Sequence, residues 1–118
     1  MNVSRLDPAP VVVGTLMALS AALFLVGPYV DPLSVGGETI PVAAVSFVAL
    51  AVALDAGAVL FYFQGARSAA LAHGVAGSGW TLLVVGPLLG SGLLLVLGLA
   101  VVIGGAVFLV VTVRSETL

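Results

Sequence analysis

Four long apolar segments, separated by short polar or glycine-rich stretches, dominate the chain. They cover about residues 10–30, 40–63, 69–89 and 92–113. A transmembrane helix needs about 20 apolar residues to cross roughly 30 Å of hydrocarbon, and each segment is close to that length. The segments are continuous, whereas the strands of a membrane β-barrel alternate apolar and polar positions. The pattern predicts an all-α integral membrane protein with four transmembrane helices and short loops, in a single domain over residues 1–118.

The stretches between the segments support this division. Residues 31–41, DPLSVGGETIP, contain prolines, two glycines and two acids, which predicts a surface loop. Pro41 fits the first turn of the second helix, where its missing N–H costs nothing. Residues 64–68, QGARS, predict a short polar turn, and residues 86–92, GPLLGSG, a tight uncharged one. Without a break there, the last two segments would form one helix about twice the length of a membrane crossing.

The three arginines predict the orientation of the chain. Arg5 precedes the first helix, Arg67 lies between the second and third, and Arg114 follows the fourth. Four crossings place all three on one side, while the opposite side carries only Asp31 and Glu38. Basic residues favour the cytoplasmic side of a membrane. We therefore expect both termini in the cytoplasm and a multi-pass location in the plasma membrane.

Composition agrees with a membrane protein and excludes several kinds of site. Of 118 residues, 62% are hydrophobic and 7% charged, and the mean hydropathy is +1.37; a soluble domain is about 25% charged. The absence of cysteine and the single histidine exclude thiolate and multi-histidine metal sites within one chain, so no cofactor or metal is expected. A net charge of −2 gives no indication of nucleic-acid binding. The Ala, Val, Gly and Leu bias without lysine is typical of GC-rich prokaryotic genomes, including those of halophiles.

Small residues at a spacing of four predict how the helices pack. Lipid is as apolar as leucine, so helices in a membrane approach one another through small side chains. Such positions occur in the first, second and fourth segments: Gly14, Ala18 and Ala22; Ala49, Ala53 and Gly57; Ala100 and Gly104. They predict contacts within a bundle or a seam between copies of the chain. The expected partners are the lipid bilayer and either a homo-oligomer or a larger membrane complex.

Asp55 is an acidic residue in the interior of an apolar segment. It has no charged residue within ten positions and lies about fifteen residues into the second helix. An exposed Asp at the centre of a transmembrane helix costs roughly 2.5–3.5 kcal/mol, so we expect it to face the bundle interior or a water-filled cavity. Helical geometry places it roughly opposite the Ala49, Ala53 and Gly57 positions.

An antiparallel hairpin of the second and third helices would place Asp55 level with residues 77–79. The Ser78 hydroxyl and the Trp80 indole N–H would then be positioned to donate to its carboxylate. We predict a polar cluster between these helices, formed by Asp55, Tyr62, His73, Ser78 and Trp80. Two interpretations of Asp55 remain open. It is a structural carboxyl, kept protonated by its apolar surroundings and hydrogen-bonded to a neighbouring helix, or it is a titrating site.

These features favour a protein without catalytic activity. No nucleotide, phosphate or metal motif is present, and no Ser–His–Asp arrangement has a supporting motif. The short loops leave no soluble domain to carry chemistry. We expect a small polytopic accessory or structural subunit, or an oligomeric membrane protein. The alternative is a proton- or cation-coupled small transporter or channel with Asp55 as its titrating residue.

Overall fold

Four long helices make up most of the structure, a computed structural model that describes residues 8–117, with side chains to residue 115. The helices are α1 (Pro8–Val26, continued by a 3₁₀ turn over Gly27–Tyr29), α2 (Val42–Phe63), α3 (Arg67–Leu88) and α4 (Gly92–Thr117). All four are long and apolar enough to span a membrane, with candidate spans of 22–24 residues. This confirms the predicted all-α fold with four helices of membrane-spanning length. Arg5, one of the three arginines used to predict orientation, lies outside the described residues.

The helix ends explain why the third and fourth apolar segments form two helices. Gly90 follows α3 with a φ of 64°, in the left-handed region that residues with a Cβ rarely adopt. Its N–H donates to Pro87 O at 3.1 Å, and the Ser91 N–H donates to Gly86 O at 2.8 Å. These two bonds form a Schellman motif, which satisfies the last carbonyls of the helix and turns the chain away. Gly65, with a φ of 77°, ends α2 in the same way.

The loop between α1 and α2 is exposed, as predicted, but it folds into a β-hairpin. Strands β1 (Leu33–Val35) and β2 (Glu38–Ile40) pair antiparallel. Gly36 and Gly37 connect them with φ values of 59° and 83°. Positive φ at both central residues is the requirement of a type I′ turn, whose twist matches that of the strands. The Gly-Gly pair, with Val35 before it and Glu38 and Thr39 after it, was the sequence signal for this hairpin, and the prediction of a surface loop did not include it.

The helices form an open row and not a closed bundle. Each helix packs against its neighbour in sequence, α1 on α2, α2 on α3 and α3 on α4. Within the described residues no other pair of helices packs to a comparable extent. The extents of 50 × 39 × 23 Å are those of a slab. No core common to all four helices forms in residues 8–117, so buried groups lie between pairs of helices.

The interior is correspondingly thin. Buried apolar side chains are few and small among the described residues, namely Ala9, Val13, Val42, Ala51 and Ala53. A buried hydrogen bond joins α1 to α2, in which Ser20 Oγ donates to Ser46 O at 2.6 Å. Only 6% of the apolar span of α4 is buried. Most of the apolar surface of the helices is therefore uncovered by the chain itself.

The predicted small-residue positions fall into two groups. In α2, Ala53 and Gly57 are buried and Ala49 is half-buried, as expected for positions where helices meet. The positions in α1 and α4 are instead exposed, namely Gly14, Ala18, Ala22, Ala100 and Gly104. The reason is that α1 and α4 end the row and use another face to contact their single neighbour. These exposed faces are not buried within one copy, and a seam between copies stays a prediction.

Candidate functional site

Asp55 lies at mid-length in α2, on the side that meets α3. Its Oδ2 accepts a hydrogen bond from Thr81 Oγ1 at 2.9 Å. Gly77 lies directly beside it, since a Cβ built on Gly77 would collide with Asp55 Oδ1 and lie 3.1 Å from Asp55 N. The missing side chain of this buried glycine makes the space that the carboxylate occupies. Asp55 is thus level with Gly77, the register expected for a hairpin of these two helices.

The two predicted donors, Ser78 and Trp80, bond to backbone carbonyls. Ser78 Oγ donates to Gly74 O of its own helix at 2.6 Å, a bond to position i−4 that serine hydroxyls commonly make in helices. Trp80 Nε1 donates to Phe47 O at 3.0 Å and so joins α3 to α2 one or two turns from Asp55. Each side chain has a single hydrogen to donate. Both hydrogens are used on these carbonyls and not on Asp55, contrary to our prediction.

His73 packs between α2 and α3 nearer the Arg67 end. Its Nδ1 lies 2.8 Å from Ala69 O in its own helix. The ring centroid is 4.9 Å from that of Phe61, and a Cβ on Gly57 would lie 2.5 Å from His73 Cδ2. Like Gly77, Gly57 therefore leaves space for a side chain of α3. His73 fills the interface between the helices and is separate from the Asp55–Thr81 pair.

Tyr62 also lies apart from Asp55. Its side chain is 66% exposed, and its ring packs edge-on against Phe63 with the centroids 5.8 Å apart. The structure therefore places the five predicted residues along the α2–α3 interface without gathering them into one cluster. The polar contact to Asp55 comes from Thr81, which the sequence analysis did not select.

Side-chain direction explains why Thr81 was missed. Residues 77–79 were selected because they are level with the backbone of Asp55. Helical side chains tilt towards the N-terminus of their own helix. In an antiparallel pair, the Asp55 carboxylate therefore reaches the level of Thr81, one turn beyond Gly77, while the Thr81 hydroxyl tilts back to meet it. Adding this tilt to the predicted register would have identified Thr81.

Asp55 remains exposed despite its contact with α3. This differs from the expected position inside a bundle, and the open row is the reason, because no further helix covers this side of α2. A carboxylate has two oxygens and about four acceptor positions. Thr81 occupies one of these, so the site has room for a further donor from outside the chain.

A groove opens on the face of the row that carries Asp55, between Asp55 and the N-terminus of α3 at Arg67. It has a volume of ≈ 930 Å³ and is bounded by α2, α3 and α4. Its lining includes Ala58, Tyr62, Arg67, Gly74, Ser78 and Val101. Because Ala58 lies one turn from Asp55, and Ser78 one turn from Thr81, the inner end of the groove adjoins the carboxylate. We call this feature the Arg67 groove.

Two other cavities lie elsewhere along the row. One of ≈ 620 Å³ lies between α2 and α3 towards the hairpin, beside Trp80 and Pro87. The other, of ≈ 270 Å³, lies between α1 and α2 beside Ser20 and Phe24. Their linings include no Asp, Glu, His, Lys or Arg. Asp55 and the Arg67 groove therefore offer the more distinctive chemistry.

Comparisons do not supply a function. No protein-family model, curated protein or solved structure matches the chain. Among the described residues, no group of three His, Asp or Glu side chains could hold a metal ion. Function is therefore inferred from the open row, Asp55 and the Arg67 groove.

Proposed function

We propose that the chain is a multi-pass plasma-membrane protein that works within a protein assembly, as an accessory or structural subunit or as a homo-oligomer, and has no catalysis of its own. The open row of helices carries this proposal. Two helices, α1 and α4, each pack against a single neighbour. Their uncovered faces carry small residues at the spacing through which membrane helices associate.

The exposure of Asp55 also supports association. An Asp that faces lipid at the centre of a helix costs roughly 2.5–3.5 kcal/mol. A hydrogen bond between membrane helices contributes on average about 0.6 kcal/mol, so the bond from Thr81 offsets only part of that cost. A second protein surface over this face would remove the carboxylate from lipid and supply a further donor. Association thus stabilises the site as well as the row.

The distribution of charge supports an orientation with both termini in the cytoplasm. Arg67 begins α3 and Arg114 lies near the end of α4, so both lie at the same end of the helix axes. Asp31 and Glu38 lie at the opposite end of the helix axes, in or beside the β-hairpin. This asymmetry has the sign of the positive-inside rule. The lysine-free, Ala/Val/Gly/Leu-rich composition supports a prokaryotic source, and a halophilic one is consistent with it.

A second candidate function is proton- or cation-coupled transport centred on Asp55. The Arg67 groove favours this function, because it runs from the Arg67 end of the helices towards the Asp55 carboxylate near the middle of α2. The groove is open along its side in one copy, so a sealed pathway would need walls from further copies or another subunit. Transport therefore also requires the proposed assembly.

The test of the proposed function is purification of the tagged chain from its native membrane in a mild detergent, after a carbonate wash. We expect the washed membrane to retain the protein, and either a homo-oligomer or a defined set of other subunits to co-purify. Release by carbonate would contradict membrane integration. A retained protein that purifies only as a single chain would contradict assembly.

A further inference from the structure

We infer that the Arg67 groove binds one anionic phospholipid, with the head group at Arg67 and an acyl chain along the groove. This inference rests on the proposed membrane location, and it adds a ligand that the proposed function does not require. The charge at the mouth of the groove, the apolar lining of the groove and its length support this ligand.

The mouth of the groove is positively charged. Arg67 is exposed and lines it, while no Asp or Glu does. Within the described residues its guanidinium makes no ion pair. A guanidinium binds a phosphate through two parallel hydrogen bonds. In addition, α3 begins here, and its N-cap residue Ala66 gives no side-chain cap to the first-turn N–H groups, which favours an anion at the same end.

The wall of the groove is apolar and smooth. Ala58 and Gly74 supply little or no side chain, and Val101 closes the α4 side. The one serine, Ser78, has its hydroxyl hydrogen bonded to Gly74 O, so that hydrogen is not available to a ligand. Apart from the Tyr62 hydroxyl near the Arg67 end, such a wall offers dispersion contacts to a hydrocarbon chain and no strong polar contact. The volume of ≈ 930 Å³ falls in the range of about 300–1,000 Å³ that ligand sites occupy.

The length of the groove matches one leaflet of a bilayer. Arg67 and Ser78 are eleven positions apart on α3, which is about 16 Å at roughly 1.5 Å per residue. Half of a hydrocarbon core of about 30 Å is about 15 Å. A lipid with its phosphate at Arg67 would therefore extend its acyl chain to the inner end of the groove at Ser78 and Ala58, one turn short of Asp55, which leaves the carboxylate to the proposed protein partner.

The experiment is native mass spectrometry of the full chain, retained in membrane through a carbonate wash, then delipidated and titrated with lipid. Phosphatidylglycerol is compared with phosphatidylcholine of the same acyl chains. Both head groups carry a phosphate, but the choline ammonium neutralises its charge in phosphatidylcholine. We therefore expect the net negative charge of phosphatidylglycerol to give about fivefold tighter binding, from one head-group contact to a basic residue. Arg67→Gln should abolish this preference and Arg67→Lys should retain most of it. The matched control is Arg114→Gln. Arg114 lies at the same end of the helix axes as Arg67 but outside the groove, so this variant should keep the preference for phosphatidylglycerol.

A second pair of variants tests the acyl-chain site. Ala70 lines the groove, so Ala70→Phe should weaken binding of both lipids, whereas Ala106→Phe, at an exposed position of α4 outside the groove, should not. Circular dichroism checks that both variants are helical, and the arginine variants test the inference independently. Equal binding of the two lipids, equal effects of Arg67→Gln and Arg114→Gln, or unchanged lipid binding in Ala70→Phe would overturn the inference. If Ala70→Phe instead dissociates an oligomer and leaves lipid binding unchanged, a second copy occupies the groove.

The failure of this inference and of the proposed function are distinguishable. Release of the protein by the carbonate wash overturns both, since no leaflet would then surround the groove. A protein that is retained and assembled but shows no preference for the anionic lipid overturns the lipid site alone.

Discussion

Thr81 Oγ1 donates a hydrogen bond to Asp55 Oδ2 at 2.9 Å and so joins α3 to α2 near their midpoints. Gly77 makes this contact possible, because its missing side chain lets the Asp55 carboxylate lie against the backbone of α3. The pair lies on a face of the row that no other helix within residues 8–117 covers. The pair therefore contributes to packing within one copy and also lies on the surface that a partner would contact.

The first prediction concerns this hydrogen bond. Thr81→Val keeps the shape of the side chain but removes the donor, so we expect the free energy of unfolding to fall by about 0.6 kcal/mol, the average for such bonds between membrane helices, and by no more than about 1.7 kcal/mol. Ser78→Ala is the control, because that hydroxyl bonds within its own helix, and it should change stability less. Unfolding of the detergent-solubilised protein measures both. Equal effects, or an absence of coupling between Thr81→Val and Asp55→Ala in a double-mutant cycle, would contradict the assigned contact.

The second prediction concerns the close approach at Gly77. A Cβ at this position collides with the Asp55 carboxylate, so Gly77→Ala should destabilise the protein by about 1–3 kcal/mol, as overpacking does. Gly104→Ala, in α4, is the matched control, since nothing lies within 4 Å of the Cβ that it would add. That change should be neutral or slightly stabilising, because alanine favours helix over glycine. Thermal unfolding in detergent compares the two. The packing account fails if Gly77→Ala is tolerated as well as Gly104→Ala.

The third prediction concerns the turn between α3 and α4. Gly90 has a φ of 64°, a conformation that costs an L-residue about 1–2 kcal/mol. Gly90→Ala should therefore lower the free energy of unfolding by about that amount, or lengthen α3 and disturb the packing of α4 against it. Gly92→Ala has an open position and no positive φ, and serves as the control. Indistinguishable stabilities of these two variants would show that the Schellman turn does not determine the break.

The fourth prediction concerns topology. The chain contains no cysteine, so a single introduced thiol reports its own location. A cysteine at Ser34, in the exposed hairpin, should react with a membrane-impermeant maleimide added to intact cells. One at Ser68, beside Arg67 in the first turn of α3, should react only after the cells are opened. The reverse labelling pattern would invert the proposed orientation, and labelling of both from outside would contradict the crossing of the membrane by α2, which lies between them.

The fifth prediction separates the two candidate functions. Asp55→Asn keeps the size of the side chain and an oxygen that accepts from Thr81, but it removes titration. Under the transport hypothesis, proton-coupled flux in liposomes should fall sharply in this variant. Under the accessory hypothesis, the variant should assemble and support its complex as the unchanged chain does. Flux that persists unchanged in Asp55→Asn rules out a titrating role.

The sequence predicted the parts of the fold that the bilayer or a local signal determines. The number and length of the helices follow from the thickness of the hydrocarbon core. The turns at Gly65 and Gly90 follow from residues that adopt positive φ, and the first turn sets the register that places Asp55 level with Gly77. These inferences need only neighbouring residues and the length of a membrane crossing.

The open row could not be predicted in the same way. A helix face in contact with lipid and one in contact with another helix are both apolar, so hydropathy does not distinguish them. Gly14 and Gly104 have the same small-residue spacing as Ala53 and Gly57, yet only the α2 positions are buried. Which helices meet depends on long-range packing. The donor to Asp55 was missed for a different reason, because its position depends on the tilt of side chains along the helix.

The central claim is that other protein covers the faces that the row leaves open. The most direct measurement is the mass of the particle purified from native membranes in a mild detergent, by native mass spectrometry. One chain has a mass of 11.7 kDa. We predict a particle with two or more such chains, or one chain with at least one other subunit in fixed proportion. A particle of 11.7 kDa, unchanged when subunits are cross-linked in the membrane before extraction, would contradict the account.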